Sequence, residues 1–95
     1  MRDIKSGEQK FYIGDNEENP LAVITYVEVG PTQLIIDHTE VSDELRGEGI
    51  AGKLVEHVVD FARKEDKKII PLCPFAKSYL EKHEELQDVV KKDRK

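Results

Sequence analysis

Three glycines, Gly47, Gly49 and Gly52, fall within six residues at the point where the apolar pattern of the chain changes its period. Before them, QLIIDHTEV (33–41) is rich in β-branched residues and reads as a strand. After them, residues 49–64 follow a helical period. Ile50, Leu54, Val58, Phe61 and Ala62 share one face, and Ala51 and Val55 widen it. Lys53, Glu56, Asp60, Arg63 and Lys64 lie opposite. A buried strand, KIIPL (68–72), follows. A strand–helix–strand step in one sheet is right-handed and makes its two strands parallel. The stretch 33–72 therefore constrains the fold more than any other. Glycine in a helix costs about 1 kcal/mol against alanine, so glycines here serve something a side chain would obstruct.

The flanking segments complete an α+β pattern. KFYI (10–13) and LAVITYVEV (21–29) read as strands, joined by the turn-rich GDNEENP (14–20). With 33–41 they form an antiparallel meander. Pro71 has no N–H to give, which puts it at a sheet edge or where two strands part. Pro74 opens a second helix, whose inner face is Ala76, Tyr79, Leu80 and His83. LQDVVKK (86–92) reads as a short last strand. The order is β-β-β-α-β-α, within one domain spanning 1–95.

Composition narrows the function classes. The net charge is −5, with no basic stripe, which argues against a nucleic-acid partner. No apolar run approaches the roughly 18 residues that a membrane span needs, and the first residues lack the apolar core of a signal peptide. One cysteine cannot form an internal disulfide, so a cytoplasmic location is expected. One cysteine and three scattered histidines give no metal-ligand spacing.

The glycine loop joins a strand end to a helix start. The first N–H groups of a helix have no partner within it, and its dipole favours an anion there. Glycines let a phosphate approach the backbone, and Arg46 adds a fixed charge. The loop either holds a phosphate or pyrophosphate or only packs helix on sheet. Gly47-x-Gly49-x-x-Gly52 also fits a dinucleotide loop, but the acidic residue expected about 20 positions later is missing.

RGEGIAGKL (46–54) resembles the pyrophosphate motif Q/R-x-x-G-x-G/A of the GNAT acetyltransferase superfamily, with Arg46, Gly49 and Ala51 at its fixed positions. DHTEV (37–41) and CPFAKSYLEKH (73–83) extend the similarity to the small GNAT-like proteins. The resemblance implies a minimal GNAT-like fold, with the parallel strand splayed from 33–41 at a cofactor cleft. It implies that acetyl-coenzyme A binds at Thr39, Glu40, Val41, Arg46, Gly47, Glu48, Gly49, Ile50, Ala51, Gly52, Pro74 and Phe75. Its pyrophosphate would lie on the N–H groups from Arg46 to Gly52, and its pantetheine arm between the splayed strands. The implied activity is N-acetyl transfer to an amine, a protein amine more readily than a small metabolite, by a monomer or weak dimer. The alternatives are a coenzyme A-binding sensor or interaction module without catalysis, or an adaptor with an empty loop.

The chain departs from the family's N-x-x-A-x-x-x-Y pattern. Cys73 stands at the asparagine place, Ala76 fits, and Leu80 replaces the tyrosine that protonates the leaving thiolate; Tyr79 is one residue early. Two candidate catalytic residues follow. Cys73, as N-cap of the second helix beside the thioester, would relay a proton or carry the acetyl group, or else is a small buried hydrophobe. His38, on a strand face with Leu34 and Ile36, would take the amine's proton or is a half-buried structural histidine. His57 is expected at the surface, and His83 packed at the end of the second helix.

Overall fold

A computed structural model of the chain describes residues 4–16, 18–45, 47 and 49–90. The strands are β1 (Lys5–Gly7), β2 (Lys10–Ile13), β3 (Ala22–Val29), β4 (Gln33–Val41) and β5 (Lys68–Pro71), and the helices are α1 (Ile50–Glu65) and α2 (Pro74–Lys82). They form one five-stranded sheet in sequence order. β1 to β4 pair antiparallel, and β5 lies parallel to β4 across the α1 crossover. The meander, the crossover and both helices thus follow the sequence pattern.

Apolar alternation places one face of the sheet against α1. Phe11, Ile13, Ala22, Ile24, Tyr26, Leu34 and Ile36 are buried, and α1 turns Leu54, Val55, Val58, Val59 and Ala62 onto them. The opposite face is more open, with Tyr12, Val23, Thr25 and Ile35 half-buried and Val27 exposed.

Four features differ from the sequence reading. β1 is an added strand, whose KSG carries no apolar alternation to reveal it. Of the segment expected as a last strand, residues 86–89 belong to a 3-10 helix, Glu84–Val89, Val90 bridges to Ile69, and residues 91–92 lie outside the described residues. His57 is half-buried, its ring meeting that of Phe11 edge-on at 4.5 Å, because the aromatic pair Phe11 and Phe61 reaches round the side of α1. The fourth difference is a β-bulge. Thr25 pairs with His38 and Tyr26 with Ile36, so Asp37 is an extra residue on β4. An inserted residue reverses the alternation beyond it. His38 therefore leaves the face of Leu34 and Ile36 and is exposed, while Thr39 and Val41 turn toward the helices.

Candidate functional site

β4 and β5 part where Pro71 interrupts the ladder. Their pairing ends at Ile36↔Pro71. The Ile36 carbonyl then accepts the N–H groups of both Leu72 and Cys73, each at 3.1 Å, and the chain turns into α2. β4 runs on to Val41 without β5 beside it. Cys73 is the N-cap of α2 and 7% exposed. Its Sγ lies 3.5 Å from Thr39 Oγ1, a contact the Asp37 bulge makes possible by turning Thr39 inward.

Next to this fork is a cleft of about 670 Å³. Its floor is the start of α1, with Gly47, Gly49, Ile50, Ala51 and Gly52. Val41 and Leu45 form one wall and Phe75 and Tyr79 of α2 another, and Lys53 and Glu56 also line it. Gly47 (φ +86°) and Gly49 (φ +73°) are left-handed, a conformation that costs other L-residues about 1–2 kcal/mol. Apart from its chain neighbours, no described residue lies within 4 Å of where a Cβ on either would sit. The first intrahelical bond is Lys53 N–H to the Gly49 carbonyl at 3.1 Å, and among the described residues no side chain caps the N-terminus. The N–H groups of Ile50, Ala51 and Gly52 thus stand ahead of the helical ladder at the cleft, with a cation, Lys53, beside them.

Gly52 has a different role. A Cβ there would come within 2.6 Å of Tyr79 Cε1. The missing side chain lets the Tyr79 ring lie on α1, where its hydroxyl donates to the Glu56 carboxylate. Burial, and then that hydrogen bond, push the phenol up to about 12, so it is neutral at ordinary pH. Phe75, Tyr79 and His83 stack one above the next along α2, at 5.9 and 4.0 Å. The Tyr79 carbonyl also lies 2.7 Å from His83 Nδ1.

The cleft brings together seven residues named from the sequence: Val41, Gly47, Gly49, Ile50, Ala51, Gly52 and Phe75. Thr39 meets Cys73 at the fork. Arg46 and Glu48 lie outside the described residues. Pro74 is exposed at the first position of α2 and is not among the residues lining the cleft. Glu40 faces away, its Oε2 3.0 Å from His38 Nε2. Lys53, Glu56 and Tyr79 were not named as site residues. Lys53 and Glu56 lie on the polar face of α1, and only its position in the first helical turn marks Lys53. Tyr79 could have been found from Gly52, since a glycine inside a helix asks what packs on it.

Among the described residues, no cluster of His, Cys, Asp and Glu could hold a metal ion, and no helix is long and apolar enough to cross a membrane. The fold agrees with what the chain is similar to. Residues 10–89 match the family described as GCN5-related N-acetyl-transferase. A solution structure from Staphylococcus aureus, described as a GCN5-like N-acetyltransferase, is 52% identical and superposes with a TM-score of 0.82 over 97% of this chain and 90% of that one. Protein NATD1 of Xenopus tropicalis is 33% identical over 75 residues, 79% of this chain and 69% of its own. A GNAT family acetyltransferase from Elizabethkingia anophelis with acetyl-CoA bound shares the fold at 14% identity, with a TM-score of 0.57 over 77% of this chain and 50% of that one. The chain belongs to the GCN5-related N-acetyltransferases.

Proposed function

We propose that the chain binds acetyl-coenzyme A in the glycine-floored cleft and transfers its acetyl group to an amine. The observation that carries this reading is the start of α1, where two left-handed glycines leave open space and, among the described residues, no side chain caps the first N–H groups. These residues suit a pyrophosphate: the N–H groups of Ile50, Ala51 and Gly52 hold its oxygens, the helix dipole favours its charge, and Lys53 offsets it. Val41, Leu45, Ile50 and Phe75 give the apolar surface a pantetheine arm needs, and the backbone of Thr39–Val41 has polar groups that β5 does not pair.

Acetyl-coenzyme A, when bound, supplies the acetyl group as a thioester. The chain's own groups move protons. The His38–Glu40 pair takes one proton from the attacking amine. Cys73 Sγ, held near Thr39 at the fork, would carry the proton that the coenzyme A sulfur needs on leaving. Tyr79 keeps its proton against Glu56 and serves as a wall of the cleft. The family reading supports the class of reaction, and the fork supports the role of Cys73.

One experiment tests the ligand and its placement together. Acetyl-coenzyme A is expected to raise Tm far more than NAD or ATP does, and to slow alkylation of Cys73 by iodoacetamide. Equal shifts with all three ligands would remove the reading. A shift without protection of Cys73 would keep the ligand and remove the role of the thiol.

A further inference from the structure

An antiparallel strand with one face in water alternates apolar and polar residues. β3 does not. Ala22, Ile24 and Tyr26 turn inward to the helices, while Val23 and Val27 turn outward to the open face. Tyr12 of β2 and Ile35 of β4 join them there. Val27 and Val29 are 42% and 41% exposed. The sheet is thus patterned for cover on both faces, and among the described residues only one face has it.

The outward residues of four strands fall in register. Lys5 pairs with Tyr12, Tyr12 with Val23, and Val23 with Glu40. This row crosses the open face from β1 to β4, with a cation at one end, a carboxylate at the other and two largely apolar side chains between. The next row is Gly7, Lys10, Thr25 and His38. The Asp37 bulge is what brings His38 and Glu40 onto this face. Lys5 and Glu40 are both exposed, and Glu40 Oε2 is 3.0 Å from His38 Nε2.

The first row is complementary to itself when reversed. A two-fold axis along the strands, between β2 and β3, lays each row reversed on its copy. Lys5 then meets Glu40 of the second copy, Tyr12 meets Val23, and both contacts repeat by symmetry. In the next row Gly7 leaves room for His38 of the copy. Sheets packed face to face keep their strands within about 30° and lie about 10 Å apart, a gap that lysine and glutamate side chains bridge from its two sides.

We propose that the open sheet face is a homodimer interface, covered by a second copy of the chain and held at each edge by a Lys5–Glu40 pair. Four strands about 4.8 Å apart make a face about 20 Å across, small beside the about 800 Å² per partner of a standard interface. Monomer and dimer therefore exchange with concentration. The dimer covers the His38–Glu40 pair, so on the reading of that pair given above the monomer is the form open to an amine.

Sedimentation equilibrium without coenzyme A, from about 1 µM to about 1 mM, should show a reversible monomer–dimer equilibrium. Glu40→Lys and Lys5→Glu should each raise the dissociation constant at least about tenfold, since symmetry turns two attractive pairs into two repulsive ones. Both changes in one chain exchange the ends of the row and should restore association to within about threefold of wild type. Both side chains are exposed, so the variants should fold, as circular dichroism and Tm will show. A chain that is monomeric throughout leaves the face to another protein and overturns the proposal. So does a dimer that the single reversals leave intact, or one that the double reversal fails to restore. Turnover per chain should fall as the dimer fills. Constant turnover beside a dimer that passes the reversal test would remove the role given to His38–Glu40 and leave the interface standing.

Discussion

The C-terminal end of α1 is closed by its own chain. Asp66 adopts the left-handed cap conformation and its N–H returns to the Ala62 and Arg63 carbonyls. Arg63 makes a two-pronged contact with Asp88, at 2.7 and 3.2 Å, and also donates to the Glu85 carbonyl at 2.8 Å. Lys68 Nζ reaches the Asp88 carbonyl at 2.6 Å. The N-terminal end has the same need, since a helix leaves unpaired groups at both ends. There, however, left-handed Gly49 has no side chain to cap with, and the first-turn residues line a cleft. At one end the returning backbone satisfies the helix, and Arg63 and Lys68 pin the Glu85–Asp88 segment beside it. At the other, the described residues offer no such closure. The proposed ligand site is at the open end.

Gly49→Val should break the contrast most. The backbone there is left-handed, and a β-branched residue resists that region strongly. Apart from its chain neighbours, no described residue lies within 4 Å of the added Cβ, so the strain is local and the fold should survive. The new side chain fills the space left for the ligand. We expect affinity for acetyl-coenzyme A to fall at least about 100-fold, or about 2.7 kcal/mol, measured by calorimetry. Unchanged binding would show that the open end is not the ligand's seat.

Gly52→Ala should act less strongly and by another route. Alanine favours the helix by about 1 kcal/mol, but its Cβ meets the Tyr79 ring at 2.6 Å. The ring must move off α1, lose burial and lose Glu56. The phenol should then fall from about 12 toward its ordinary 10.0, read by ultraviolet titration. Affinity for acetyl-coenzyme A should drop about tenfold as the cleft wall shifts. A variant with an unchanged titration would mean that the glycine is not what lets Tyr79 lie on α1.

These two glycines show what the sequence could and could not reveal. The meander, the crossover and the break at Pro71 were legible because apolar period and proline chemistry act locally. The open end of α1 was legible for the same reason, since three clustered glycines violate helix propensity. Their division of labour was not legible: Gly49 answers to a dihedral angle, but Gly52 answers to a ring 27 positions away. Nor was the Asp37 bulge, because one inserted residue leaves composition unchanged yet reverses the alternation. That slip put His38 on the wrong face and hid the Thr39–Cys73 contact. Lys53 was read as part of a solvated stripe, which it is except at the turn where α1 meets the cleft. The closed end of α1 depends on Asp88, in a segment read as a strand, and periodicity could not pair it with Arg63.

Asp88→Asn tests that closed end and should have the smallest effect. The side-chain hydrogen bond from Arg63 comes first among the causes that hold the Asp88 carboxyl below its ordinary 3.8. A carboxyl with a lowered folded pKa stabilises the protein above its unfolded pKa, and that contribution is lost as pH falls through the folded value. The contribution is therefore fully present at pH 7, begins to fade as pH falls toward about 4, and is gone below the folded value. Asparagine cannot supply it at any pH. Wild type should melt slightly higher than Asp88→Asn at pH 7, and the two melting curves should converge in acid. The pair is exposed, so solvent screens it and added salt should narrow the gap further. Acetyl-coenzyme A should raise Tm by the same amount in both proteins, because the pair lies at the far end of α1 from the cleft. A smaller ligand-induced shift in Asp88→Asn would mean that the two ends are coupled, and that the closed end helps to hold the open one in shape.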